Sequence, residues 1–139
     1  MKMNAFPHIL ATATLTVDMD MIRDYADLSD DYNPIHLDPE FAAGTPMGGV
    51  IAHGTMSISL IWQSLHRTFG NSAFAGIDLD IRFVKPVRVG EVLTAGGELV
   101  TGAGDTPLYQ VWVRGLDGVD RLAGHVRLPA GATSSTAAN

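Results

Sequence analysis

The stretch from Gly54 to Phe69 limits the fold more than any other. Wound as a helix, it places Met56, Ile58, Leu60, Ile61, Trp62, Leu65 and Phe69 around much of its circumference. A helix apolar on so many sides cannot lie on a surface, so the rest of the chain must wrap it. Ser57, Ser59 and Ser64 are tolerable inside such a helix, because each hydroxyl can bond the carbonyl four residues back. The helix starts at His53-Gly54. A glycine there leaves backbone N–H groups pointing beyond the helix end, where they can hold a developing oxyanion.

The remaining residues supply a wrapping layer. Residues 9–17 are rich in Thr, Val, Ile and Leu and read as a first strand. Asp18 caps a helix through about Leu28, with Met21, Ile22, Tyr25 and Leu28 on its buried face and Asp20, Arg23, Asp24 and Asp27 in solvent. Pro39 opens a second short helix through Ala43, and residues 44–49 form a loop. Ile77, Leu79, Ile81 and Phe83 then alternate with Asp78, Asp80, Arg82 and Val84, as in a half-buried strand that Pro86 and Gly90 end. Residues 91–100 form the next strand and residues 102–107 a turn. Residues 108–114 and 121–128 follow as strands, joined by an Asp117-Gly118 hairpin, with Leu122, Val126 and Leu128 inward. Consecutive hairpins give an antiparallel sheet, and hence an α+β domain with a helix packed on a curved sheet. Residues 1–128 read as a single domain, and the small, polar tail 129–139 reads as disordered.

Composition narrows the function. The 139 residues suffice for one domain with a substantial core. A net charge of −6 argues against broad contact with nucleic acid or anionic lipid. The absence of cysteine removes disulfides, thiolate nucleophiles and Cys-ligated zinc. No apolar run approaches the ~20 residues of a membrane span, and Met1-Lys2-Met3 leads into an apolar run too short for a signal segment. The expectation is a cytoplasmic protein that contacts neither membrane nor nucleic acid.

The chemistry-bearing stretch is Asp31-Tyr-Asn33-Pro34-Ile-His36. Pro34 prevents Asp31 and His36 from sharing an uninterrupted helix, so they sit on a turn or helix end. An acid and an imidazole on one turn can reach the same water or substrate proton. A plain turn capped by Asp31 is the bland alternative. Asn33 reads as a brace for the turn and His53 as a shaper of the helix start. His36, Asp38 and His53 also spell the outline of an iron facial triad. Such a triad belongs on a β-barrel, whereas a helix follows His53, so no metal is expected.

Asp31-x-Asn33-Pro34-Ile35-His36, then Phe41-Ala42, Ile51-Ala52-His53-Gly54 and Phe83-x-x-Pro86-Val87-x-Val89-Gly90-Glu91, resemble the MaoC-like (R)-specific enoyl-CoA hydratases over roughly residues 10–128. The resemblance implies a hot-dog fold, a homodimer or higher oligomer, and reversible hydration of a trans-2-enoyl thioester without a cofactor. By position, Asp31 and His36 would be the catalytic pair, and the Gly54 N–H would bind the thioester oxygen. Three residues depart from the pattern. Asp30 replaces a usual glycine, Thr55 stands where Met is common, and Trp62 stands where relatives often carry serine.

Ile58, Trp62 and Leu65 are expected to face the acyl pocket. Trp62 would donate to Asp31, wall the pocket, or simply pack in the core. Arg67, Lys85 and Arg88 are candidates to meet the phosphates of an acyl-CoA; an acyl-carrier thioester is the other possible substrate form. A hot-dog thioesterase and a non-catalytic acyl-thioester-binding or partner subunit are the competing functions.

Overall fold

The computed structural model describes residues 6–101 and 106–133. In chain order the elements are β1 (Ala13–Thr16), α1 (Met19–Ser29), α2 (Pro34–Leu37), α3 (Pro39–Ala43), α4 (Gly54–Phe69), a 3₁₀ turn (Gly70–Ala73), β2 (Asp78–Phe83), β3 (Val92–Thr101), β4 (Leu108–Arg114) and β5 (Asp120–Arg127). The strands form one antiparallel sheet in the order β1-β3-β4-β5-β2. It curls around α4, and Leu60, Ile61, Leu65 and Phe69 of the helix join Leu93, Val111, Val113, Leu122 and Val126 of the sheet in one core. Each such apolar side chain contributes roughly 1.5–3 kcal/mol when fully buried. A sheet wrapped on one long helix is the hot-dog arrangement, and α4 has the bounds expected of it. Among the described residues no helix is long and apolar enough to cross a membrane.

The expected succession of hairpins holds only for β3-β4-β5. β2 does not pair with β3. It crosses to the far side of β5, with Leu79 opposite Val126 and Ile81 opposite Gly124. Gly124 permits this approach, since a Cβ there would lie 2.1 Å from the Asp80 carbonyl oxygen. The crossing segment 84–91 binds the residues that precede α4: the Ala52 N–H donates to the Val87 carbonyl at 2.8 Å, and Ile51 bridges Arg88.

β1 is shorter than the expected 9–17 because α4 claims the backbone of Ala11, while residues 8–10 still bond to β3, with Ile9 opposite Glu98. The Ser64 hydroxyl donates to the Ala11 carbonyl at 2.6 Å, and the Ala11 N–H donates to the Thr68 hydroxyl at 2.9 Å. Ser64 therefore reaches across to the strand rather than back along its own helix. Ser59 does bond its own helix, three residues back at the Met56 carbonyl rather than four.

Two further expectations are corrected. Leu28 is 83% exposed. The buried stripe of α1 is centred on Ile22 and Ala26, and Leu28 lies about 120° round the helix from Ile22. The tail begins ordered: Ala132 is buried, and the Thr133 N–H donates to the Ser72 hydroxyl at 3.0 Å. Residues 134–139 of the expected disordered tail, and 102–105 of the expected turn, lie outside the described residues.

The Asp30 departure has a local explanation. Asp30 closes α1 in the left-handed region, φ 56° and ψ 31°, and its N–H returns to the Ala26 carbonyl. Glycine adopts this conformation without steric cost, whereas an L side chain is strained there. Asp30→Gly should therefore raise stability by roughly 0.5–1 kcal/mol, the relief of strain exceeding the added unfolded-state entropy. The urea midpoint, with an unchanged slope, checks this.

Candidate active site

The left-handed turn at Asp30 delivers Asp31. Its N–H donates to the Ala26 carbonyl at 3.2 Å, and its carboxylate Oδ1 accepts the Asn33 N–H at 3.2 Å. Pro34 cannot continue α1 but suits a helix start, and Asn33 caps α2 by accepting the Ile35 N–H at 3.1 Å. Asn33 thus has the bracing geometry expected of it. His36 follows within α2. Its Nδ1 lies 2.7 Å from the Ile51 carbonyl oxygen. A carbonyl only accepts, so Nδ1 carries a proton, and in the neutral ring Nε2 presents a bare lone pair. That Nε2 stands 3.9 Å from Asp31 Oδ2. Asp31 and His36 are therefore brought together with one carboxylate oxygen facing one bare imidazole nitrogen.

His36 and Gly54 both line a cavity of about 330 Å³, with Ser57, Phe83, Lys85 and Arg121 also on its wall. Gly54 is the first residue of α4, and no side chain caps the helix start. The partial positive charge of that end is therefore available to a ligand's oxygen. The Phe83 ring packs over Gly54 so closely that a Cβ there would lie 2.9 Å from it. His53 precedes the helix, with its Nε2 2.9 Å from the Asp31 carbonyl oxygen and its ring stacked on His36 at 3.9 Å. Thr55, the second departure, accepts the Tyr25 hydroxyl at 2.6 Å.

Asp31, His36 and His53 offer three possible metal-ligating atoms within 4.8 Å of one another. The two rings are stacked at an interplanar angle of 28°. Imidazole lone pairs lie in the ring plane, so stacked rings direct them side by side rather than at one point, a poor fit to an ion. Asp38, the third member of the triad outlined in the sequence, is engaged elsewhere: it caps α3 by accepting the Glu40 and Phe41 N–H groups.

The α4 residues expected on the pocket are not on this cavity. Leu65 is fully buried in the core, and Ile58 packs against it. Trp62 lies about 80° round the helix from Gly54 and two turns further along. It packs on Phe74 at 5.5 Å, beside Gln63, His66 and Arg67, and neither walls this cavity nor reaches Asp31. Arg67 shares that distant location and donates to the Thr12 carbonyl at 2.7 Å. Of the three cations, Lys85 is on the cavity, and Arg88 lines a groove beside it that shares Met47.

Arg121 is the residue that sequence reasoning missed. Alternation through Leu122, Val126 and Leu128 assigns it outward, but a register shift at Val113/Arg114 breaks the pairing of β4 with the start of β5. Arg121 is only 5% exposed and donates to Glu91, to Asp117 and to the Val119 carbonyl. Its own carbonyl accepts the N–H groups of Val84 and Lys85, so the cavity wall hangs from this residue. The Arg121 guanidinium, then the Val119 N–H, hold the Asp117 carboxyl below the usual carboxylate range. A depressed folded-state value contributes stability above the unfolded value, lost as pH falls through the folded one. The stability gap between the parent and Asp117→Asn should therefore narrow as pH falls from above the ordinary carboxylate value through the lowered folded one, as read by urea midpoints at each pH.

Known proteins resemble this chain in sequence and fold. A family profile described as MaoC like domain matches residues 7–109. An (R)-specific enoyl-CoA hydratase of Aeromonas caviae is 34% identical over 90 residues, 65% of this chain and 67% of that one. A 3-hydroxyacyl-thioester dehydratase Z of Mycobacterium tuberculosis is 34% identical over 93 residues, 62% of this chain and 60% of that one. The matched stretch thus spans about three-fifths to two-thirds of these relatives. The solved structure of an (R)-hydratase from A. caviae involved in PHA biosynthesis superposes with a TM-score of 0.72 at 28% identity, covering 88% of this chain and 98% of that one. An unliganded R-hydratase from Pseudomonas aeruginosa gives 0.78 at 25% identity, covering 94% and 84%. By the profile match across most of its length, the chain belongs to the MaoC-like domain family.

Proposed function

We propose that the protein adds water across the double bond of a trans-2-enoyl thioester to give an (R)-3-hydroxyacyl thioester, or removes it in reverse. One observation carries this reading: the bare His36 Nε2 and an Asp31 carboxylate oxygen face each other across 3.9 Å beside the cavity that receives the α4 start. That gap lets one water touch both groups at about 2.8 Å. The water donates its two protons to the pair and turns its lone pairs outward. Its oxygen attacks C3, one O–H bond breaks, and the released proton passes through the pair to C2 on the same face. The negative charge that develops on the thioester oxygen is met by the Gly54 N–H. Lys85 and Arg88 are the cations placed to meet the phosphates of a CoA carrier.

A thioesterase reading has less support, because hydrolysis leaves the facing Asp31–His36 pair without a proton to deliver to carbon. Incubating trans-2-enoyl-CoAs of graded length, with conjugated absorbance and free thiol followed together, separates the two. Loss of absorbance without thiol release is expected; thiol release alone would contradict hydration. Asp31→Asn and His36→Ala should each lower turnover by about 100-fold or more, as general acid–base groups do. Because both act on one water, the double variant should lose little beyond the worse single. Circular dichroism checks that the fold is kept.

The working unit is a homodimer. β2 is an edge strand, and Phe83 at its end is 58% exposed although it lines the cavity. An unpaired edge carrying apolar surface is a template for a second strand. Two copies paired along β2 would form an isologous interface and cover that surface. Sedimentation at micromolar concentration should show a dimer; a monomer would contradict it.

A further inference from the structure

His53 occupies a helix start but does not do what helix starts ask of a side chain. It makes no capping bond to the first turn of α4. It is also 2% exposed, more deeply buried than either member of the pair it touches. Its Nε2 lies 2.9 Å from the Asp31 carbonyl oxygen, which can only accept, so Nε2 carries a proton, and in the neutral ring Nδ1 is bare. Among the described residues that buried Nδ1 has no hydrogen-bond partner. A buried imidazole with one orphaned nitrogen is retained where its other contacts matter.

Those contacts are with both halves of the site. The Nε2–H grips the backbone of Asp31, whose carboxylate is otherwise oriented by the Asn33 N–H. The ring face lies on His36 at 3.9 Å. The Nδ1 bond to the Ile51 carbonyl fixes one point of the His36 ring and leaves the ring free to swing about it. A flat partner on its face removes that freedom. Tyr25 backs His53 at 5.0 Å and is itself tied to Thr55, so the three rings join α1, α2 and the start of α4.

We propose that His53 is the positioning residue that sets the separation and mutual orientation of Asp31 and His36, holding one by a hydrogen bond and the other by its ring face. The inference rests on the hydratase reading for its kinetic consequences, but its contacts can be tested without it. His53 touches no substrate atom and carries no proton in the reaction. Its two functions are separable by substitution. His53→Phe keeps the ring and removes the donor, His53→Gln keeps a donor and removes the ring, and His53→Ala removes both.

The experiment measures hydration of a short trans-2-enoyl-CoA well below each variant's melting temperature, with ¹⁵N spectra of the parent's imidazoles alongside. Misplaced reacting groups lower turnover steeply, so His53→Phe and His53→Gln should each lose about tenfold in kcat with KM within about twofold. His53→Ala should lose more than either, and the losses should not follow the melting temperatures. The spectra should show His53 protonated at Nε2 and bare at Nδ1. Losses that simply track melting temperature, or an unchanged kcat in His53→Phe and His53→Gln, would overturn the proposal. So would a proton on Nδ1 with Nε2 bare, which decides the contact even where no variant folds. A parent inactive toward every enoyl thioester would overturn the hydratase reading instead, with the tautomer spectrum still deciding the His53 contact.

Discussion

Enclosure of α4 is the constraint on which everything else depends. A helix with Leu60, Ile61, Leu65 and Phe69 sealed from water needs apolar neighbours on most sides, and the curled sheet provides them. Its polar atoms need partners as well, since a buried hydroxyl without one is costly. Ser64 and Thr68 find theirs in the backbone of Ala11 and so take hydrogen bonds that a sheet would otherwise have used. The first strand is short for that reason. The same enclosure leaves the N-terminal end of the helix open to the cavity, whose wall also carries His36, Ser57, Lys85 and Arg121.

Chemistry collects at that end because two crossing segments are tied to it. Residues 51–52 pair with the 87–88 segment and also receive the His36 ring, so the turn bearing the pair and the wall of the cavity share one anchor. Arg121 holds the other side of that wall. Its guanidinium spans Glu91 and Asp117, and its carbonyl holds Val84 and Lys85. A buried guanidinium is tolerable only with its donors satisfied, and here they tie Glu91 to the Asp117 turn. These contacts brace both sides of the cavity wall, while β2 is an edge strand of the sheet.

Much of this was legible in the chain. The bounds of α4 followed from apolar periodicity, the Asp18 cap from its place before an amphipathic run, and the Asp31–His36 turn from Pro34. Alternation identified β2, because the two faces of a strand differ at every second residue, and composition and turn signals identified the other strands. Alternation could not say which strand lies beside which. β2 reads the same next to β3 or β5, and only Gly124, by admitting the Asp80 backbone, marks the true neighbour.

The sequence by itself determined which segments must be buried, where the chain must turn, and which acid and imidazole share a turn. These are local properties, set by periodicity, by proline geometry and by spacing. Only the tertiary structure decided that His53 touches both the Asp31 backbone and the His36 ring, that Arg121 points inward, and that Trp62 packs on Phe74 away from the pair. Each depends on contacts between residues distant in the chain, and on the phase of a helix or the slip of a strand register. A rotation of less than a quarter-turn moves a side chain from cavity to surface, and a one-residue slip reverses the face of a strand. Such shifts leave no trace in composition or pattern, because the same residues satisfy either placement until their neighbours are in position.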